Sequence, residues 1–503
     1  MRILYIDVDS LRPDHLGCYG YHRDTSPTVD SIAAEGVKFT QCYTPDAPCL
    51  PSRTAFYSGR FGIHTGVVGH GGSAAQPKIE GPSRGFRDKF DTDGLAAKMQ
   101  RCGLRTAMIS PFGQRHSAHW FYAGFNEIHN TGMGGMESAE NIQPTVDRWL
   151  SENAAKDNWY LHVNYWDPHT PYRAPADYGD PFASSPLPEW LDNEELITRH
   201  NRMTGPHTSL DIAMYDDAES AKYPRQPGKI VDRASMRRQI DGYDTGIRYF
   251  DDHLARIVQQ LKDAGVWDET AVIVTADHGE NQGELGIYGE HGTADVATCR
   301  VPMIIRWPGM RSGAVDSELR YNLDLAPTLM DLLGGEPSPV WDGASFAGSL
   351  ASGSAPVRDE VVLSQCAHVC QRSVKWDRWL YVRTYHDGFH LFPDEMLYDI
   401  VADPYEQNDL AESEPTVCRE GAWRLARWHD AQMQKMAADA TDAVDPLWTV
   451  IREGGPMHAQ HAGPGSPLPR YIKRLDETGR SDGAEALRQK YARYLSPASA
   501  GDG

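Results

Sequence analysis

The sequence predicts an α/β fold, a mostly parallel sheet with helices on both faces, followed by a smaller α+β region. Three observations carry this. Short β-branched and aromatic runs, nearly continuous in apolar residues, recur along the chain, as in strands covered on both faces. Helical patterns lie between them, the alternation that builds parallel sheets. From about residue 355 the strands shorten and follow one another more closely. A chain of 503 residues exceeds what one compact core holds, so two units are expected, 1–354 and 355–503.

The strand candidates are "ILYIDV" (3–8), "TAMIS" (106–110), "WYLHVN" (159–164), "AVIVTA" (271–276) and "PMIIRW" (302–307). Between them "TVDSIAAEG" (28–36), "DGLAAKMQRCG" (93–103) and "NLDLAPTLMDLLGG" (322–335) read as helices, the last two ending at glycine. Met236, Ile240, Tyr243, Ile247, Leu254, Ile257 and Leu261 form one stripe of a long helix. Residues 165–232, rich in Pro, Asp, Tyr and Ser, break the alternation and read as an insertion on the rim of the sheet. Beyond 355, "EVVLSQ", "RWLYVRTY" and "MLYDI" are short strands. The helical tail is "PRYIKRLDE" and "DGAEALRQKYARYL", with a frayed end after it. No internal repeat is visible.

Composition narrows the partners. With 70 acidic and 49 basic side chains the net charge is -21, which argues against nucleic acid or an anionic membrane. A small anionic substrate in a local basic pocket remains compatible. No apolar run approaches the roughly 20 residues of a membrane span, and no signal-peptide pattern is visible, so a cytoplasmic protein is expected. Eight scattered cysteines are expected to be reduced and mostly buried. Cys366 and Cys370 are spaced CxxxC without a matching ligand cluster, so zinc is not expected there.

Three clusters carry chemistry. In "IDVDSLRPDHLGCYG", Asp7 and Asp9 face the same side of a strand. A buried strand-end aspartate is costly unless paired or metal-bound; the plainer reading is a turn capped by Asp9 and Ser10. In "AVIVTADHGE" a buried strand runs into Asp277 and His278. Two strand-end carboxylates and an imidazole suit a divalent cation. The third cluster is "YTPDAPCLPSRTAFYSGR", where Cys49 precedes a proline and then Ser52 and Arg53; alone, such a cysteine reads as packing or as a thiol nucleophile.

C-x-P-S-R followed by "SGR" resembles the type I sulfatase signature, whose cysteine a maturation enzyme oxidises to formylglycine. "DPHTPY" (167–172), "TADHGE", "GEHG", "RVPMIIRWPG", "LDLAPTLMDLLG" and "MLYDIVADPYEQNDLA" resemble later sulfatase segments in the same order, so the likeness covers most of 1–410. It implies the alkaline-phosphatase superfamily fold, a central mixed sheet flanked by helices with a smaller carboxy-terminal sheet domain. It also implies a sulfuric ester hydrolase acting on a small-molecule or saccharide sulfate ester, with a formylglycine-generating enzyme as maturation partner. Monomer and homo-oligomer both stay open.

In that scheme the hydrated aldehyde made from Cys49 attacks sulfur and later expels sulfate. Arg53 donates to the diol or to the metal carboxylates. Asp9, residue 49, Asp277 and His278 hold one divalent ion. Oxygen ligands favour Ca²⁺, and the imidazole makes Mn²⁺ acceptable. His169 and His291 are placed at the sulfate or the leaving group, where an imidazole near its ordinary pKa of about 6.5 can donate a proton. His64, His70 and His116 are assigned no role.

Departures from the family pattern keep two alternatives open. Many sulfatases have adjacent aspartates after the first strand; here Asp9 is followed by Ser10, and Asp7 lies too deep to replace the second. The expected Lys-x-His after "TAMIS" is replaced by Pro111, Phe112 and Gly113, with Arg115 and His116 beyond, and no lysine follows "GEHG". The pocket is therefore less cationic. His278, where many relatives use an amide, resembles the phosphonate monoester hydrolase branch. The alternatives are a formylglycine-dependent phosphonate monoester or phosphodiester hydrolase, and an unmodified pseudoenzyme that binds sulfated glycans.

Overall fold

Seven consecutive buried residues make β1 (Arg2–Val8) the centre of the first sheet. The computed structural model describes residues 1–80, 89–212, 222–439 and 443–495. The other strands of this sheet are β2 (Val37–Tyr43), β4 (Arg105–Ile109), β5 (Glu127–His129), β6 (Trp159–Tyr165), β7 (Thr270–Thr275), β10 (Arg300–Arg306), β11 (Ala314–Asp316) and β12 (Arg320–Tyr321), while β3 (Asp46–Ala47) belongs to a second sheet and β8 (Asn281–Gln282) pairs only with β9 (Tyr288–Glu290). The order is β11-β2-β10-β7-β1-β6-β4-β5, with β12 also beside β2. Strand β10 runs antiparallel to both β7 and β2, and the remaining pairs are parallel. This is the mixed, mostly parallel sheet that the apolar runs predict. Helices cover it, and the stripe from Met236 to Leu261 is buried on the long helix Arg233–Asp263.

The second sheet has the order β16-β15-β14-β13-β3, with β13 (Glu360–Gln365), β14 (Cys370–Trp376), β15 (Trp379–His386) and β16 (Glu395–Asp399). Its parallel edge strand β3 comes from just before Cys49, so the signature segment is tied to both sheets. The insertion packs Leu187, Leu191, Leu196 and Ile197 against Ile230, Met236, Ile240 and Tyr288. Residues 213–221 of it lie outside the described residues, as does the tail after 495. Beyond the expected terminal helices Leu468–Glu477 and Ser481–Lys490, a 25-residue helix spans Pro415–Asp439. All eight cysteines are unbridged. Among the described residues no helix is long and apolar enough to cross a membrane.

Candidate active site

Strands β1, β6 and β7 are parallel neighbours, with Asp7 in register with both Asn164 and Thr275. Their carboxyl ends therefore open on one edge, where open α/β sheets place ligands. Asp9 follows β1, His169 follows β6, and Asp277 and His278 follow β7. Cys49 is the first residue of the helix Cys49–Ser58, whose positive end points at the same place. The serine of the signature fixes that docking: Ser52 Oγ donates to the Asp277 carbonyl at 2.6 Å and accepts from Thr44 Oγ1 at 2.9 Å. From the long helix, Tyr243 holds the other side, donating to the Ser10 carbonyl at 2.6 Å and accepting from Arg12 N at 3.0 Å.

One ligand atom from each of Asp9, Cys49, Asp277 and His278 lies within 4.8 Å of the others, and all four residues are buried. His278 Nδ1 donates to the Gly279 carbonyl at 2.7 Å, so its Nε2 lone pair faces the cluster, 3.1 Å from Cys49 Sγ and 3.3 Å from Asp277 Oδ2. A side chain on Gly279 would put its Cβ 2.1 Å from the Ala297 carbonyl oxygen, so this turn needs glycine. Ser10 replaces a second aspartate in a supporting role: its hydroxyl donates to Asp9 Oδ1 at 3.0 Å and its backbone N–H to Asp277 Oδ1 at 3.2 Å.

Arg53, one turn after Cys49, gathers the carboxylates. Its Nε donates to Asp7 Oδ2 at 2.8 Å, and its Nη1 donates to Asp9 Oδ2 at 3.1 Å and Asp277 Oδ2 at 2.5 Å. The guanidinium lies 4.3 Å from the centre of the Phe112 ring, which the absent lysine motif has left apolar. Asp7 sits behind the cluster, held by Arg53 and 3.3 Å from His162 Nε2.

The charges are unevenly shared. Burial pushes Asp277 up to about 7, against the pull of Arg53 and with the Asp9 charge adding to the rise. Burial also opposes ionisation of Asp9, but His169, Arg53 and His278 hold it below the usual carboxylate range. Two adjacent buried carboxylates thus compete for one ionised state. Burial, then Asp9 and Asp277, push the Cys49 thiol well up, which makes the encoded side chain a poor thiolate.

A divalent cation bound at this cluster would have to displace the proton from Asp277. Its apparent affinity should therefore fall about tenfold per pH unit below roughly pH 7 and level off above it. In the metal-free fold the raised pKa has the matching sign: stability from Asp277 is present in acid and is lost as pH rises through about 7. Calorimetric titration with Ca²⁺ or Mn²⁺ on both sides of neutrality checks this, and equal affinities would contradict it.

A cleft of about 440 Å³ opens over Cys49, lined also by His70, Arg115, His116, His169, His291, His368 and His458. Both predicted imidazoles, His169 and His291, are there, with ring centres 5.4 Å apart. His169 Nε2 is 3.8 Å from Asp9 Oδ1, and its Nδ1 donates to the Thr170 carbonyl. Their expected protonation near neutral pH is corrected by the structure: burial pushes His169 down to about 3 and His291 well below the ordinary imidazole value. His64 is elsewhere, 2.7 Å from Asp342. His70 and His116, left without a role by the sequence, line the cleft, as do His368 and His458 from the carboxy-terminal region. From 165–232 only His169 lines the cleft among the described residues; residues 115–117, 368, 457 and 458 supply much of the rim.

Comparison with known proteins fits this geometry. The family model described as Sulfatase matches residues 2–335. An N-acetylglucosamine-6-O-sulfatase of Bacteroides thetaiotaomicron is 22% identical over 81% of this chain and 82% of its own. A choline-sulfatase of Rhizobium meliloti is 23% identical over 77% of this chain and 78% of its own. The phosphonate monoester hydrolase of Agrobacterium radiobacter has the same fold, with a TM-score of 0.66, 21% identity, and coverage of 86% of this chain and 95% of that one.

Proposed function

The chain belongs to the sulfatase family and is a sulfuric ester hydrolase, and from that premise we propose that it cleaves a small-molecule or saccharide sulfate ester with residue 49, matured to formylglycine, as nucleophile. The observation that carries this is the convergence of Asp9, Cys49, Asp277 and His278 at the sheet edge, with Arg53 behind them. These residues fit a divalent ion. They offer two crowded carboxylates that need more positive charge than Arg53 supplies, an imidazole with its lone pair turned inward, and the side chain of residue 49. When bound, such an ion supplies Lewis-acid stabilisation of the charge that builds on sulfuryl oxygens. The oxygen-rich set suits Ca²⁺, and the imidazole admits Mn²⁺. The aldehyde of formylglycine supplies a hydrated nucleophile that can release sulfate by re-forming the carbonyl, an exit closed to a thiol.

The chain's own residues do the rest. Arg53 keeps Asp7, Asp9 and Asp277 in place through one planar fork. The positive end of the helix Cys49–Ser58 favours the anionic ester. His169 and His291 face the bound group as neutral imidazoles in the free enzyme, and the negative charge of the ester raises their proton affinity on binding.

If His169 serves the leaving group, His169→Ala should slow an aliphatic sulfate about 10²- to 10⁴-fold and a nitrophenyl sulfate far less, because the activated phenolate needs no proton. Equal losses on both would assign His169 to sulfate binding or to loop support instead.

A second reading, a phosphonate monoester hydrolase, is favoured by His278, whose imidazole stands 3.3 Å from Asp277 in the cluster. Parallel rates on a nitrophenyl sulfate and a phenylphosphonate monoester decide between them. Faster turnover of the sulfate supports the sulfatase reading, and the reverse order overturns it.

A further inference from the structure

Beside the cluster described above lies another, of which the sulfatase reading uses His291 alone. One ligand atom from each of Glu290, His291 and His368 lies within 4.8 Å of the others, and all three residues are buried. Glu290 Oε2, His291 Nδ1 and His368 Nε2 have no hydrogen-bond partner among the described residues. Buried polar atoms are normally paired, and each one left alone costs about 1–3 kcal/mol. Three such atoms on residues that converge in one place, two of them 3.9 Å apart, call for a shared occupant.

The spacing indicates what that occupant is. Glu290 Oε2 and His368 Nε2 stand 3.9 Å apart, too far for a hydrogen bond. Two ligands of one tetrahedral zinc-type ion stand about 3.3–3.5 Å apart when each bond is near 2.0–2.1 Å. A closing movement of about half an ångström would therefore bring this pair onto one ion. Two imidazoles and a carboxylate form the donor set of catalytic zinc sites that leave a further position open. Here that position faces the cleft, because His291 and His368 both line it.

The site is also built. Gln365, fully buried at the end of β13, donates from Nε2 to the His291 carbonyl at 2.9 Å and accepts at Oε1 from Ala367 N at 2.7 Å and His368 N at 3.0 Å. One side chain thus fixes the backbone of two of the three residues. His368 stacks on His458 with ring centres 4.2 Å apart, which sets the ring plane.

We propose that Glu290, His291 and His368 bind a second divalent cation of transition-metal type, Zn²⁺-like, open to the substrate cleft. The site neighbours the first, since the His278 and His291 rings are 4.4 Å apart. It would place positive charge in a cleft that lacks the lysines expected from the family pattern. The proposal holds whichever ester is cleaved.

Metal-free full-length protein is titrated with Co²⁺, followed by visible absorption and by equilibrium dialysis. Wild type should bind two equivalents, one giving the intense bands of a four-coordinate site. Glu290→Gln, nearly isosteric, and His368→Ala should each lose those bands and one equivalent. Asp277→Asn should keep the bands and lose the other equivalent, so failure of the first site and failure of the second remain distinguishable. Should His368→Ala misfold by circular dichroism, His368→Cys replaces it and should keep the second equivalent while adding a sulfur-to-cobalt charge-transfer band. A single equivalent in wild type that Glu290→Gln and His368→Ala both retain, or two equivalents in both of those variants, would overturn the proposal and leave a proton-shared histidine network in its place.

Discussion

Cys49→Ala should lose at least about 10⁴-fold in turnover while folding normally, the size of loss seen when a covalent nucleophile is removed. The side chain is small and only 3% exposed, and its polar neighbour is His278 at 3.1 Å, so its removal leaves the helix Cys49–Ser58 and the Ser52 bridge intact. Cys49→Ser should fail as completely, because a cysteine-specific maturation step does not convert it. Wild-type protein made without a formylglycine-generating activity should resemble both. Rates measured on a nitrophenyl sulfate, with circular dichroism as the folding control, check the set. Full activity in Cys49→Ala would remove the nucleophile from the account.

Arg53→Ala should be the most destabilising single change at the site. The guanidinium is 4% exposed and is shared by three buried carboxylates, Asp7, Asp9 and Asp277. Removing one partner of a buried ion pair typically costs about 3–5 kcal/mol, because the remaining charge is left without compensation. The unfolding midpoint should drop accordingly, and saturating Ca²⁺ or Mn²⁺ should recover part of the loss by supplying charge to Asp9 and Asp277. Arg53→Lys should retain more stability yet stay impaired in turnover, since an ammonium cannot reproduce the fork that reaches Asp7 and Asp277 together. Urea titrations with and without the ion measure this; a wild-type midpoint in Arg53→Ala would contradict it.

The parts of the fold that were legible are those whose burial is apolar and continuous. Strands β1, β6, β7 and β10 have nearly every residue buried and read directly from their composition. Strand β2 was missed because Lys38, Thr40 and Gln41 interrupt it, although it pairs with β10, β11 and β12. Strand β14 was missed for a related reason. Its Arg372 is buried, which composition alone disfavours, and is made tolerable by a two-pronged pair with Asp445 at 2.7 Å. The helix Pro415–Asp439 carries charges around its surface and an exposed Trp423, which blurs the apolar stripe that would announce it.

Much the same holds at the site. Residues on adjoining strand ends, Asp9 and Asp277 with His278, were legible because a polar group ending an apolar run stands out. Cys49 and Arg53 were legible from a compact motif. His368 and His458 were not, because nothing local marks them. Gln365 ties the His291 and His368 backbones together, and His458 N donates to the Ala367 carbonyl at 3.0 Å, contacts more than seventy residues apart in sequence. The depressed proton affinity of His169 and His291 was equally hidden, since it follows from burial rather than from residue type.

In the proposed mechanism residue 49 works as an aldehyde and not as a thiol. Mass spectrometry of the proteolytic peptide spanning Cys49, taken from a preparation with measured sulfatase activity, tests it most directly. Active protein should carry formylglycine at position 49, in a fraction that rises and falls with specific activity. Full activity in protein whose residue 49 is entirely free thiol would contradict the account.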